Sequence, residues 1–305
     1  MVNINGQIPT QNKINNYKEK VITYYDVVTK HYRKYWGDFF HPAFFKNDSD
    51  DLNVALLKTH QLFLRDSKLH TSNKAIDLGC GIGSLSFFIA ENIGCEVTGI
   101  NFSDFQLRVA RKLANEKQIR NVVFKNMDIM ELNNLKEKFD AAFLIDVGCH
   151  LPDKERAIRN IFGILKRNGR LIIADWLQKK SLNPFEKELL IKPLNEFWNF
   201  PYMESIEGYK IIFKRIGFKI IKAEDVSTLT KKNWDMFYNA ALSGIKKMTF
   251  RKLAPYTLSS IIKNLNFSSP RRNIQIIKNQ LYANIFTKLC YDAGVFRYGY
   301  FVLEK

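Results

Sequence analysis

The chain is short of everything that would tie it to a metal centre, a disulfide framework or a membrane. Its 305 residues include four cysteines, Cys80, Cys95, Cys149 and Cys290. No two of them stand as Cys-x-x-Cys and no histidine cluster accompanies them, which speaks against zinc and against a disulfide-stapled fold. A reduced, cytoplasmic setting is the expectation. No apolar run approaches the ~20 residues of a membrane span. Met1 to Lys20 is polar, rich in Asn, Gln and Lys, and lacks the apolar centre of a secretory signal. It reads as a frayed arm or a short leading helix. An internal repeat and a low-complexity linker are missing as well.

Acidic residues are also in deficit. The 47 Lys and Arg outnumber the 30 Asp and Glu, for a formal charge of +17. Such a balance suits an anionic partner such as nucleic acid, a phosphorylated small molecule or a membrane surface. The lysines are scattered, however, in pairs such as Lys179-Lys180, Lys231-Lys232 and Lys246-Lys247. No long basic run and no RNA-binding signature appears. Drift toward Lys and Asn on solvated faces is the preferred reading, and no nucleic-acid partner is expected. A hydrophobic fraction of 46% is ordinary for a globular chain. The length allows one large α/β domain, or a domain with an inserted cap.

What the chain does have is a glycine turn: Ala75-Ile76-Asp77-Leu78-Gly79-Cys80-Gly81-Ile82-Gly83-Ser84-Leu85. A short apolar run ends in an acid, three glycines follow at every second position, and a helical pattern begins. Glycine tolerates positive φ and has no Cβ, so a ligand can lie directly against the backbone. The helix start offers it unpaired N–H groups. Alone, the stretch is equally a plain tight turn.

Its surroundings alternate regularly. Strands are predicted at Lys74–Leu78, Glu96–Ile100, Val122–Asn126, Phe139–Ile145 and Arg170–Trp176. Helices are predicted near Ser84–Ile93, Asp104–Glu116 and Lys154–Leu165, and the run Lys166-Arg167-Asn168-Gly169 reads as a turn. This alternation predicts a doubly wound parallel sheet. Ahead of it, residues 21–45 are unusually aromatic, partly at helical spacing with a break at Trp36-Gly37. They read as an amphipathic helix on the core or as an aromatic lid. Residues 49–70 form a second helix. Beyond the sheet, Pro184–Phe200 is apolar and aromatic. A helix at Ile206–Ile216 ends at Gly217 and a strand follows at Lys219–Val226. Helices are predicted at Trp234–Ile245, Thr257–Leu265 and Arg271–Leu289, and a last strand at Arg297–Leu303.

A doubly wound sheet binds its ligand at the carboxyl ends of its strands. Asp77, Asn101, Asp128 and Asp146 should gather there. A dinucleotide enzyme would show Gly-x-Gly-x-x-Gly and an acid at the second strand end. Here the glycines run Gly-x-Gly-x-Gly behind an acid and the second strand ends in Asn101, so that reading is the poorer one.

The pattern resembles the class I S-adenosylmethionine-dependent methyltransferases. Asp77-x-Gly79-Cys80-Gly81-x-Gly83 looks like their first motif. Val97-Thr98-Gly99-Ile100-Asn101-Phe102-Ser103, Asp128, His150-Leu151-Pro152-Asp153-Lys154 and Leu165-Lys166-Arg167-Asn168-Gly169-Arg170-Leu171 follow in order. A narrower resemblance is to the sterol, tocopherol and prenyl-diphosphate methyltransferases. It rests on Tyr24-Tyr25-Asp26 with Trp36-Gly37-x-x-Phe40-His41, on Met203-Glu204-Ser205-x-Glu207-x-Tyr209, and on Phe296-Arg297-Tyr298-Gly299. The resemblance implies a seven-stranded Rossmann-like α/β sheet with its last strand antiparallel. It divides the chain into an N-terminal helical lid (1–70), a cofactor-binding core (71–229), a helical cap (230–292) and the last core strand (293–305).

By the same resemblance the cofactor is S-adenosylmethionine. Gly79 and Gly81 would admit its methionine part, Asn101 would face the ribose and Asp128 the adenine amino group. Tyr24, Asp77, Gln106 and Ile129 join the cofactor set. No metal is required for an in-line methyl transfer. The acceptor is expected to be a small molecule of natural-product or isoprenoid type, as in secondary metabolism, with carbon favoured over nitrogen or oxygen. C-methylation of an alkene passes through a carbocation, which aromatic faces stabilise, and ends with loss of a proton to a base. Trp36, Trp198 and Tyr202 are assigned to the acceptor pocket. Asp146 is the first candidate base, with His150 and Tyr25 beside it. His150 is equally a structural residue capping the next helix. A nucleic-acid methyltransferase and a non-catalytic ligand-binding relative are the alternatives. The first lacks an Asn/Asp-Pro-Pro-Tyr-type motif, and the intact glycines with Asp128 argue against the second. A homo-oligomer stays open.

Overall fold

A computed structural model of the chain describes residues 11–47, 49–246 and 272–305. The predicted helix at Thr257–Leu265 lies outside them. Two helices come first, α1 (Gln11–Trp36) and α2 (Leu52–Ser67). The alternating core follows: β1 (Lys74–Leu78), α3 (Ser84–Ile93), β2 (Glu96–Asn101), α4 (Asp104–Glu116), β3 (Val122–Asn126), β4 (Phe139–Ile145), α5 (Lys154–Ile164) and β5 (Leu165–Gln178). Next come α6 (Pro184–Glu186), a π-turn (Lys187–Ile191), α7 (Lys192–Trp198), α8 (Ile206–Ile216) and β6 (Lys219–Asp225). Two long helices, α9 (Ser227–Lys246) and α10 (Arg272–Asp292), precede β7 (Phe296–Glu304).

The seven strands form one sheet in the order β3-β2-β1-β4-β5-β7-β6. The first five pair in parallel. β7 runs antiparallel between β5 and β6. This is the expected doubly wound sheet with a reversed last strand. β1, β4 and the stretch of β5 from Gly169 to Leu177 are almost wholly buried, as continuous apolar runs must be when both faces of a sheet are covered. One core packs α1, α2, α3, α7 and α10 on one face; the other packs α5 and α8 on the opposite face. The helices start where polar caps stand: Ser103, Asp153 and Ser205 each accept a backbone N–H of the first turn. α3 has no such side-chain cap and opens directly from Gly83.

Several boundaries differ from the sequence reading. α1 starts at Gln11, before the aromatic stretch. Tyr17, Val21, Tyr24 and Val28 are buried, and their i, i+4, i+7, i+11 spacing draws a helical stripe onto the core. α9 starts at Ser227, earlier than Trp234. The run 166–169 is absorbed into β5 across a bulge in its pairing with β4. Lys305 draws it in, with Asn168 N–H donating to Lys305 O at 2.9 Å and Lys305 N–H to Gly169 O at 3.0 Å. Pro184–Phe200 is mostly helical, started by an Asn183–Glu186 capping box. Among the described residues, no helix is long and apolar enough to cross a membrane.

Candidate functional site

Two cavities meet above the carboxyl ends of β1 and β4. The first is floored by the glycine turn, Asn101 and Ile129 and roofed by Tyr17 and Val21 of α1. It encloses about 1040 Å³ of empty space, part of it open to solvent. The second, about 800 Å³ measured the same way, is walled by Tyr32, Trp176, Trp198, Phe200, Phe237 and Asn284. Tyr25, Phe39, Phe40, His41, Asp146 and His150 line both.

The glycines shape the first cavity. Gly79, Gly81 and Gly83 all have positive φ, at 75°, 55° and 88°, where a side chain is strained. The Gly79 and Cys80 amides both donate to Ile100 O at 2.9 Å, pinning the turn to β2. A Cβ at Gly79 would sit 2.5 Å from Val147 Cγ2, and one at Gly83 2.6 Å from Phe124 Cζ. A Cβ at Gly81 would meet nothing within 4 Å, so this glycine faces open space.

The polar strand-end residues are heavily engaged. Asp77 lies inside β1 and accepts from Ser86 Oγ at 2.6 Å; burial pushes its carboxyl up to about 6. Asn101 Oδ1 accepts from the Phe102 and Ser103 amides at 2.8 and 3.3 Å. Its Nδ2 donates to Gln106 Oε1 at 2.8 Å and reaches Gly81 O at 3.5 Å. Asp128 caps the turn after β3 by accepting from Met130 N–H at 2.9 Å. The same carboxylate takes Tyr17 Oη–H at 3.2 Å and Lys18 Nζ at 2.6 Å from α1. α1 is further stitched to the rim by Ser103 Oγ–H donating to Asp26 at 2.6 Å and Gln106 Nε2–H to Thr29 Oγ1 at 3.0 Å.

Asp146 stands at the junction. It follows β4 directly and takes a left-handed φ of 55°, which Asp tolerates better than most residues. Its amide donates to Ala174 O at 2.8 Å and its Oδ1 accepts from Tyr298 Oη–H. Burial holds its carboxyl well above the usual carboxylate range, against the pull of hydrogen bonds from Tyr298 and Trp176. Beside it, Tyr25 Oη lies 2.9 Å from His150 Nε2. Burial lowers the His150 imidazole to about 3, with Lys154 adding to the effect, so the ring is neutral at ordinary pH. His150 does not cap α5; Asp153 does, by accepting from Arg156 N–H at 2.9 Å. The turn carrying His150 is held from below, because buried Asp175 accepts from Cys149 N–H at 3.0 Å and Tyr209 Oη–H at 2.7 Å.

The remaining expected residues scatter. Tyr24 turns toward Tyr32 and Gln280 of α10 and lines neither cavity. Trp198 lines the second cavity and its indole N–H donates to Thr287 at 2.9 Å. Tyr202 is drawn away. Fully buried Lys154 donates to its carbonyl at 2.8 Å and sits 3.6 Å from its ring centroid, so Tyr202 borders a separate hollow beneath α7. The Trp36 side chain lies outside the described residues. Sequence reasoning passed over Tyr298, Phe39, His41 and Asn284 as site residues. Tyr298 and His41 stood within the quoted motifs, but only the sheet order reveals that β7 brings Tyr298 beside Asp146.

A seven-stranded sheet of this order, with a glycine turn after β1, Asn101 at the end of β2 and acids after β3 and β4, is the architecture of the class I S-adenosylmethionine-dependent methyltransferases. Residues 69–248 match the family described as methyltransferase domain, and the chain belongs to it. It is similar to the sterol 24-C-methyltransferase of Kluyveromyces lactis, with 27% identity over 222 residues, 70% of this chain and 58% of that protein. The chain therefore spans less than two thirds of that relative's length. It is also 25% identical over 245 residues to the chloroplastic tocopherol O-methyltransferase of Arabidopsis thaliana, covering 74% of this chain and 70% of the other. Among solved structures, the [4+2]-cyclase SpnF superposes with a TM-score of 0.75 at 21% identity, over 94% of this chain and 96% of the other. That likeness is one of fold.

Proposed function

We propose that this chain is an S-adenosylmethionine-dependent methyltransferase acting on carbon of a small, mostly apolar acceptor of natural-product or isoprenoid type. One observation carries the reading: the cavity over the glycine turn and the aromatic cavity share a wall made of Asp146, His150 and Tyr25. A methyl donor in the first and an acceptor in the second would face each other across that wall.

The residues present fit the cofactor. Gly81 leaves open the space a side chain would fill, and α3 begins beside it with unpaired N–H groups suited to a carboxylate. Gly79, Gly81 and Ser84 would hold the methionine part, and Asn101, Gln106 and Ile129 the nucleoside. Asp128 would accept from the adenine amino group once α1 yields a lone pair. Asp77 supports the turn through Ser86. When bound, S-adenosylmethionine supplies an electrophilic methyl group.

The chain's own contribution is alignment, dryness and a base. Trp176, Trp198, Phe200, Tyr25 and Tyr32 exclude water and present aromatic faces to positive charge developing on the acceptor. Asp146 removes the proton that the methylated carbon skeleton must lose. Its raised pKa makes it a stronger base than an exposed carboxylate, and Tyr298 positions it. Neutral His150, held by Tyr25, is the second group placed to accept a proton. The lid, core and cap divide this work. The four cysteines are free and buried, which supports a reducing cytoplasm as the setting.

Calorimetry with S-adenosylhomocysteine, followed by mass spectrometry of a panel of isoprenoid and polyketide acceptors, tests the proposal. Cofactor binding and a gain of one methyl group are expected. Absence of cofactor binding sinks the reading. Binding without transfer to any acceptor would favour a ligand-binding protein.

A further inference from the structure

The helical stretch from α6 through the π-turn to α7, residues 184–198, carries apolar side chains out to the surface. Phe185 is 64% exposed and Leu189 55%. Four residues apart, they fall on one side of the stretch. Leu289 of α10 is exposed as well and stands at the same seam, since Cys290 Sγ reaches Leu190 O at 3.6 Å. These are three of the eight large apolar side chains exposed among the described residues. Scattered exposed apolar residues are ordinary, but a cluster of them marks a contact surface.

Beside this ridge lies the hollow beneath α7, about 1250 Å³ of empty space, part of it open to solvent. Leu182, Ile191, Pro201 and Met203 give it apolar walls, while Lys187, Asn195 and Glu196 bring polar groups to it. Asn195 Oδ1 is buried with no hydrogen-bond partner among the described residues, which is costly unless a donor arrives from outside. Lys179 pairs with Glu186 and Lys192 with Glu188, which leaves Lys187 and Glu196 without an ion pair among the described residues.

Charge selects the partner. Residues 184–198 hold two lysines, Lys187 and Lys192, and three glutamates, Glu186, Glu188 and Glu196, a net charge of −1 in a chain of +17. An anionic membrane or a nucleic acid is drawn to other faces. Two copies of so basic a chain repel over most of their surface and least over this stretch. Ridge and hollow also belong to the same stretch, so each copy offers both halves of a two-fold contact.

We propose that residues 184–198 form the interface of a two-fold dimer, with Phe185 of each copy seated in the hollow of the other and Leu189 packed at its rim. The two stretches run antiparallel across the axis. Lys187 of one copy meets Glu196 and Asn195 Oδ1 of the other, and symmetry repeats the contact. The dimer braces from outside the helix α7 whose Trp198 lines the acceptor cavity. A helix-pair contact falls in the small class of interface, below about 1,200 Å², and a dissociation constant on the order of 10 μM is expected.

Sedimentation velocity of the full chain from about 1 to 100 μM tests the proposal. Wild type should pass from monomer to dimer across that range. Phe185→Ser and Leu189→Ser, both at exposed positions, should each weaken association about tenfold, with the monomer's melting temperature unchanged. Glu196→Lys should also weaken it about tenfold, and adding Lys187→Glu should restore most of the loss, because the exchanged charges meet again across the axis. A chain still monomeric at about 100 μM overturns the proposal. So does a dimer indifferent to both serine variants, or a charge exchange that restores nothing. Flotation with vesicles of phosphatidylcholine and phosphatidylglycerol supplies the alternative: Phe185-dependent binding to them by a chain that does not dimerise would assign the ridge to a membrane and overturn the dimer.

Discussion

The two cavities that meet at Asp146 are built in opposite ways. The cofactor side is floored by short loops that each follow a neighbouring parallel strand: Gly79–Gly83 after β1, Asn101–Ser103 after β2, Ile129 after β3. Its geometry comes from turn chemistry within a few residues. The acceptor side takes Tyr32 from α1, Trp176 from β5, Trp198 from α7, Phe237 from α9 and Asn284 from α10. No two of these are local to one another, and only packing brings them together. The first side can hold one ligand while the second is remodelled by ordinary core substitutions, which is how a single scaffold serves many acceptors.

Substitutions can break this contrast or sharpen it. The largest effect is expected at the shared wall. Asp146→Asn keeps the left-handed backbone and still accepts from Tyr298, so the fold should survive. Turnover should fall about a thousandfold, while S-adenosylhomocysteine affinity by calorimetry moves less than about threefold. Equal loss of both would make Asp146 a cofactor or structural residue. The pH profile of wild-type kcat adds a sign. Asp146 works ionised and its pKa is raised, so activity should disappear on acidification at a pH above the ~4 of an ordinary Asp. Tyr298→Phe removes a hydrogen bond that favours the ionised form and should move that limb higher still.

Next in size is Gly81→Val. It places a side chain in the space facing the first cavity and costs about 1–2 kcal/mol of left-handed strain. Cofactor affinity should drop about a hundredfold, with only a modest fall in melting temperature. Retained affinity would show that the glycine turn is not the cofactor cradle. Tyr25→Phe removes the hydroxyl that holds His150. About a tenfold loss in kcat with unchanged cofactor affinity is expected; a loss confined to cofactor affinity would move Tyr25 to the other cavity.

The smallest effect has the opposite sign. Lys18→Met withdraws a partly exposed ammonium from Asp128, whose carboxylate is buried. Calorimetry should show cofactor binding tightened about two- to threefold, because one carboxylate oxygen is released. Weaker binding would mean that α1 contributes to the adenine site instead of competing for it.

The same contrast explains what could be read in the sequence. Ser84–Ile93, Asp104–Glu116 and Ile206–Ile216 match α3, α4 and α8 to the residue, because apolar spacing runs between local signals: Gly83 and Gly94 around α3, Ser103 before α4, Ser205 and Gly217 around α8. That Asp77 and Asn101 would stand at the first cavity was legible for the same local reason, whereas Asp128 is not among the residues that line it. Long-range partners were not legible: nothing near Asp128 in the chain announces Tyr17 or Lys18, more than a hundred residues upstream. The pull of Lys154 on Tyr202 was equally hidden, because the burial of Lys154 against the Leu151 and Tyr202 carbonyls is visible only once the core is assembled. Tyr24 and Tyr25 are neighbours in an aromatic run, and only the docking of α1 assigns one to α10 and the other to His150.

The position of β7 has a consequence for how the protein is made. Of the seven strands it emerges last from the ribosome, yet it belongs between β5 and β6, with Arg170 paired to Glu304 and Trp176 to Tyr298. Until it inserts, β5 and β6 are both open edges, poised to recruit strands of other chains. Its pairings are long-range, which slows folding. The step that seals the sheet also delivers Tyr298 to Asp146. The nascent chain should hold a nearly complete floor of the first cavity before Asp146, the proposed base, has this partner, so that on the proposed reading cofactor binding would precede catalytic competence during synthesis.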